Sequence, residues 1–301
     1  MWCLQIPLEK VPPLVLAAKA IHNTLDAEQL FALLLEFLGG LYATGLNVVS
    51  FSSDGTEVEQ SHQRLLVERA DSQSVHMIQH PKGPFFKDIK IFIPVYKGHH
   101  IMLIQDSNHC RKTGKNNLTS GARLLVLGNY TAGYALMNQI SKEPGSLLYT
   151  ADVKLNDKQN DTSALRSFSA DTLEFISTRY PNEVGEIMYL FIWGELVDAI
   201  QNRHITHIER IGMALRAYFF FQIWKAFKKK ASSPTGRYFI SPQAEDILNM
   251  VVHGLIGLVI ITVITSHKAM VLHPFSLGYI PQKPASMSLE NFASRFLISH
   301  F

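Results

Sequence analysis

The sequence predicts an α/β protein whose second part is all helical. Two textures along the chain carry that prediction. Up to about residue 106, apolar runs of strand length alternate with amphipathic helical patterns, as expected of a sheet with helices packed against it. From Ser107 onward, over roughly 150 residues, the apolar spacing is helical and no run reads as a strand. Composition sets the bounds. With 301 residues, 47% hydrophobic and 18% charged, the chain can bury a sizeable core and is not a disordered polymer. Two cysteines, Cys3 and Cys110, exclude a disulfide framework and a four-cysteine zinc site. A formal charge of +3 suits a nucleic-acid partner without requiring one.

The elements follow in order. Asp26 is placed to cap a helix through EQLFALLLEFLGGLYATG, with Leu30, Leu33, Leu34, Phe37, Leu38 and Leu41 on its apolar face. NVVSFSSDG reads as a buried strand, Asn47 to Ser52, stopped by Asp54-Gly55. TEVEQSHQRLLVERA is a second helix. SVHMIQH, DIKIFIPVYKG and HHIMLIQD follow as three β-rich runs. Helices are expected at His109–Gly128, Tyr134–Ile140, Thr162–Ser177, Val184–Asn202, Thr206–Lys230 and Pro242–Thr265. Ser241-Pro242 is a helix start, with ASSPTGRY as the linker before it. The run Met250–Thr265 is 16 residues with one His, shorter than the roughly 20 needed to cross a bilayer. It reads as a buried helix, with a membrane anchor as the minority reading. The N-terminus MWCLQIPLEKVPP lacks the basic start and apolar run of a secretory leader. A nuclear or cytoplasmic chain is expected, and the Asn-x-Ser/Thr triplets at Asn117, Asn129 and Asn160 read as chance.

Two aspartates end predicted strands: Asp54 after VVSFSS and Asp106 after HIMLIQ. Strand ends in open α/β sheets bind ligands, and carboxylates suit Mg²⁺. Asp in that place equally begins a turn or caps the next helix. The block DSNHCRKTGKNNLTSGAR holds Asp106, His109, Lys112, Lys115, Asn116 and Asn117 at spacings of about three across a helix start. Such a face can grip a phosphate backbone, and can as well be an ordinary solvated face. Gly114-Lys115 lacks the glycine-rich lead of a phosphate loop. His204 and His207 have no further ligand beside them, so they read as surface or capping residues. Lys225 to Lys230 sit at a helix C-terminus, where cations favour the dipole. A DNA contact there is secondary. Nothing in the sequence marks a small-molecule site.

The blocks VVSFSSDGTEVE, QDSNHCRKTGKNNLTSGARLL, SFSADTLEFI and GELVDAIQNRHITHIER resemble a transposon-derived family abundant in fungi, similar to P-element and THAP-type transposases. The resemblance runs from Leu14 to about Ile261. It implies a partial RNase H-like core followed by an all-α insertion, here residues 1–125 and 126–273. It also implies phosphoryl transfer on DNA by two Mg²⁺ or Mn²⁺ ions held between three carboxylates. Asp54 matches the second carboxylate and is the one expected metal ligand. Asp106 and His109 match a D-x-x-H motif, DNA-facing or structural in role. Lys115 stands where arginine is commoner, which keeps the charge and loses the bidentate fork. The first carboxylate belongs to an earlier strand, and the third to a segment resembling PWLHSTEACEHVFGE.

The last stretch, residues 274–301, has neither helical nor strand period. Read one frame over, with free bases chosen to fit, Ser276 to Ala293 can spell PWLHSTEACEHVFGEFR, so the tail is expected to be a frameshifted translation. The expected protein is a degenerate transposase-like chain that binds no metal productively. The alternatives are a helical membrane-anchored or scaffold protein, and a non-catalytic DNA-binding protein using the basic face around Lys112 and Lys115.

Overall fold

The computed structural model describes residues 2–4, 14–17, 26–53, 57–79, 88–154, 160–202, 204–230 and 235–272, with no side chain described beyond residue 264. An antiparallel pair, β1 (Trp2–Leu4) and β2 (Leu14–Ala17), comes first. The helix α1 (Ala27–Ala43) then starts at Asp26, whose carboxylate accepts the Gln29 N–H at 2.8 Å while Gln29 accepts the Asp26 N–H at 3.2 Å. This capping box satisfies two otherwise orphaned donors. The buried stripe is Phe31, Leu34 and Leu38, so Phe31 takes the place expected of Leu30. Next come β3 (Ser50–Ser53) and α2 (Glu57–Glu68). The strands β4 (Ser72–Ile78), β5 (Ile89–Tyr96), β6 (His99–His100) and β7 (Met102–Gln105) follow.

Strand pairing puts β7 beside β3 in one sheet and β4, β5 and β6 in another. β4 pairs antiparallel with β5 from Ser72↔Val95 to Ile78↔Ile89, and β5 turns back onto β6. The Ile101 N–H donates to the Pro94 carbonyl at 3.0 Å and carries the chain from β6 into β7. β7 then runs parallel to β3, in register from Ser50↔Met102 to Ser53↔Gln105. All four β7 residues are buried, as befits a strand covered on both faces. On one side Ile101 and Leu103 join Phe31, Leu34, Leu38 and Leu66 of α1 and α2. On the other, Met102 belongs to the main core.

The second part departs from the expected all-helical pattern. The helix expected over His109–Gly128 is α3 (Ser107–Thr119) followed by a hairpin, β8 (Leu125–Leu127) and β9 (Tyr130–Ala132). The turn is Gly128-Asn129 with φ +63° at Gly128. Glycine in the first of two turn residues, in the left-handed region, is the type II′ hairpin turn. Its strands are three residues each, too short to show alternation.

Helices resume with α4 (Tyr134–Ile140) and α5 (Thr150–Val153). The helix expected at Thr162–Ser177 is two, α6 (Asp161–Ser167) and α7 (Ala170–Arg179). The break falls where the Ser169 hydroxyl accepts the Thr172 N–H at 3.2 Å and begins a new helix. Then come α8 (Val184–Gln201), α9 (His207–Lys230), the one-turn α10 (Thr235–Tyr238) inside the expected linker, and α11 (Pro242–Leu272). Ser241 caps α11 through Ala244 N–H at 3.1 Å, as expected.

α11 lies across β7 and β5 and against α3 and α9. A Cβ on Gly254 would stand 2.8 Å from the Leu103 carbonyl oxygen, and one on Gly257 would run into Met102. These two glycines, one helical turn apart, let the helix backbone rest directly on the strand. The main core continues from there through Tyr189, Trp193, Phe221, Trp224 and Phe239, with neighbouring ring centroids 4.7–6.1 Å apart. The expected tail, residues 274–301, lies outside the described residues.

Candidate functional site

The candidate site is built on α3, which begins where β7 ends. Asp106 is its N-cap: the carboxylate accepts the backbone N–H groups of Asn108 at 3.3 Å and His109 at 3.1 Å. Those bonds satisfy donors that the first helical turn leaves open. Asp54, the expected metal ligand, lies outside the described residues. His109 is half-buried beside the cap.

Further along, α3 is polar in sequence and yet enclosed by α6, α8 and α11. Several of its polar side chains find protein partners there, while Arg111 Nε is buried without a hydrogen bond. The Lys115 Nζ donates to the Ser163 hydroxyl of α6 at 2.5 Å, and Ser163 in turn donates to the Asp152 carbonyl at 3.0 Å. Asn117 accepts the Ser241 N–H at 2.8 Å and donates to the Thr113 carbonyl at 2.9 Å. It thus ties α3 to the start of α11. Lys112 pairs with Asp161 at 3.4 Å. The buried Arg111 donates to Asn108 at 2.9 Å. Burial pulls its guanidinium below the usual value, partly offset by Asp161 and Asp106. Tyr189 O–H donates to the Gly114 carbonyl at 2.9 Å.

Two expectations are corrected by this placement. Lys115 and Asn117 were read as part of an outward face, and both are buried, 5% and 6% exposed. Spacing alone puts them beside Lys112 and Asn116, but α6 and α11, distant in sequence, cover them. Asn116 is half-buried and lines a cleft of about 180 Å³ with Thr113, Ser120, Arg123, Ser241 and Gln243.

Two carboxyls that the sequence did not single out are buried nearby. Asp152 is bridged by Arg166 at 2.5 and 2.8 Å and accepts the Tyr149 N–H at 2.9 Å. Burial alone would raise its pKa, but these bonds and the Arg166 charge hold it below the usual carboxylate value. Glu186, in the first turn of α8, accepts the Gly133 N–H at 3.1 Å on Oε1 and has no partner on Oε2. Burial pushes its carboxyl up to about 7, with Glu183 adding to the effect against backbone bonds from Glu186 and Gly133.

A pair of divalent ions needs several oxygens converging on one point. Among the described residues no group of three His, Cys, Asp or Glu side chains does so. Asp106, with both oxygens aimed at backbone N–H groups, does not fit the role of a metal ligand. No protein-family model, curated protein or solved structure matches this chain.

Proposed function

We propose that this chain is a relative of RNase H-like transposases that is catalytically inert as these 301 residues. The observation that supports this most is the parallel pairing of β3 with β7. Its last matched pair is Ser53↔Gln105, and the residues that follow these two in sequence are Asp54 and Asp106. Carboxylates that follow adjacent parallel strands suit the ligand-binding edge of an α/β sheet. The block that resembles the transposase motif then serves as a fastener: it joins that edge to α6, α8 and α11. Of three carboxylates in the resemblance, only Asp54 maps onto these residues, and one carboxylate cannot position two ions. The bound metals would polarise a phosphodiester and its attacking oxygen. Incubation of the purified chain with supercoiled plasmid or transposon-end DNA, in Mg²⁺ or Mn²⁺, is expected to show no nicking or strand transfer. Turnover abolished by Asp54→Ala would refute the reading.

The membrane reading draws on one helix, Pro242–Ile264, whose 23 residues are long and apolar enough to cross a bilayer. Its packing against β7 through Gly254 and Gly257 favours a core helix instead.

A further inference from the structure

We propose that the corner where α9 ends, α10 turns and α11 begins docks the phosphate backbone of a nucleic acid. The charge asymmetry is already in the sequence. Between Glu209 and Glu245 there are seven Lys and Arg and no acidic residue. Three of the seven are used within the fold. Arg210 donates to the Asn202 carbonyl at 2.7 Å, Arg216 pairs with Glu195 at 2.6 Å, and Lys225 pairs with Glu245. Of the other four, Lys228 is buried against Tyr238, while Lys229 and Lys230 are exposed at the end of α9 and Arg237 on α10; Arg123 reaches α10 from the loop before β8.

Tyr238 is the centre of that corner. The Lys228 Nζ is 4.9 Å from its ring centroid and the Arg237 guanidinium carbon 5.9 Å. Arg123 donates to the Phe239 carbonyl at 3.1 Å and to that of Gly236, and the Leu124 N–H donates to the Arg237 carbonyl at 3.2 Å. Lys229, Lys230 and Arg237 are exposed. Among the described residues, none of the five cations has a carboxylate within 4.0 Å. The nearest acidic positions in sequence are Glu245, already paired, and Asp246.

A helix C-terminus accounts for lysines at the end of α9. It does not account for a second helix end, with Arg237 in the last turn of α10 and Arg123 on the Gly236 and Phe239 carbonyls, lying beside the first with no carboxylate paired to either among the described residues. Arg123 also lines the cleft with Asn116, Ser120, Ser241 and Gln243. Cations beside amide and hydroxyl groups and an aromatic ring match what contacts phosphate, sugar and base in nucleic-acid complexes. A lipid surface asks instead for a broad apolar face beside the cations. The site takes in Asn116 of α3 but not Lys112, which pairs with Asp161, and needs no metal.

The test uses the full chain and a fluorescein-labelled, mixed-sequence duplex of about 20 base pairs, followed by anisotropy at about 50 and 200 mM salt. The triple variant Lys229→Gln/Lys230→Gln/Arg237→Gln is expected to lose about tenfold or more in affinity and to flatten the log–log salt slope by about two to three. Lys112→Gln is expected to bind like the parent. If the triple variant melts early, Lys230→Gln and Arg237→Gln singly take its place, with a smaller expected loss. Parent-like binding by the triple variant and by both singles overturns the proposal. So does loss of binding in Lys112→Gln, no duplex binding by the parent, or capture by phosphatidylserine vesicles in place of DNA. Nicking by the parent chain would refute the inert-transposase reading and leave this corner standing; absent duplex binding does the reverse.

Discussion

Glu186 is the residue whose environment departs furthest from what its neighbours in sequence suggest. An acidic side chain in the first turn of a helix is ordinary, because it complements the dipole. Here, however, the segment around Gly133, 53 positions earlier, closes over it and leaves Oε2 without a partner. The carboxyl moves from an ordinary value of 4.5 to about 7. Between those values the folded chain holds a proton that the unfolded chain releases. The stability tied to neutral Glu186 is therefore complete below about 4.5 and is lost as pH rises through about 7. The shift corresponds to an upper bound on the order of 3 kcal/mol. Glu186→Gln, which mimics the neutral acid, is expected to raise Tm by a few degrees at pH 8 and to leave it nearly unchanged at pH 5. Equal melting of both chains at pH 8 would sink this account. Asp106, by contrast, was legible from sequence, since a cap depends only on the next three residues. The burial of Lys115 was not, because its partner Ser163 lies 48 positions away.

Among the elements, α1, α4, α8, α9 and the start of α11 follow from caps and apolar period. The β8–β9 hairpin was hidden because three-residue strands carry too few positions for a period. The α6–α7 break was hidden because the apolar spacing continues across it and only the Ser169 cap marks it. The seat of α11 on β7 makes a sharper test. Replacing glycine by alanine inside a helix is usually stabilising by up to about 1 kcal/mol. Gly212, in α9, has open space where a Cβ would go, whereas Gly254 has the Leu103 carbonyl oxygen 2.8 Å away. Gly212→Ala is thus expected to stabilise. Gly254→Ala is expected to destabilise by roughly 1–3 kcal/mol, the range for overpacking a core. Urea unfolding of the two variants decides the matter; the same sign for both would mean that α11 does not lie where described.

For the whole molecule, the main core draws on both textures. Ile89, Ile91, Ile93 and Met102 from the sheet share one cluster with α3, α8, α9 and α11. A chain built this way holds its most apolar helix by protein contacts, and alkaline carbonate extraction of cell membranes is expected to release it to the supernatant. Retention in the pellet as an integral protein would restore the anchor reading for Pro242–Ile264. The sheet leaves one apolar surface uncovered. Val75, Met77 and Phe92 are 46–52% exposed on the outer face of β4 and β5, with Val75 directly opposite Phe92. A patch of that kind on a sheet with an open edge strand favours self-association.

The position of β7 also bears on how the protein is made. Its two covering layers come from opposite ends of the chain: α1 is complete by Ala43, and α11 begins at Pro242. During synthesis the strand emerges with one cover already available and the other still uncoded into protein. At about 5–20 residues per second, roughly ten to thirty seconds pass before the second cover leaves the ribosome. Throughout that interval Met102 and Ile104 have nowhere to go. Until α11 is made the nascent chain is half-covered, and the exposed face of β7 is the kind of surface that aggregates or draws a chaperone.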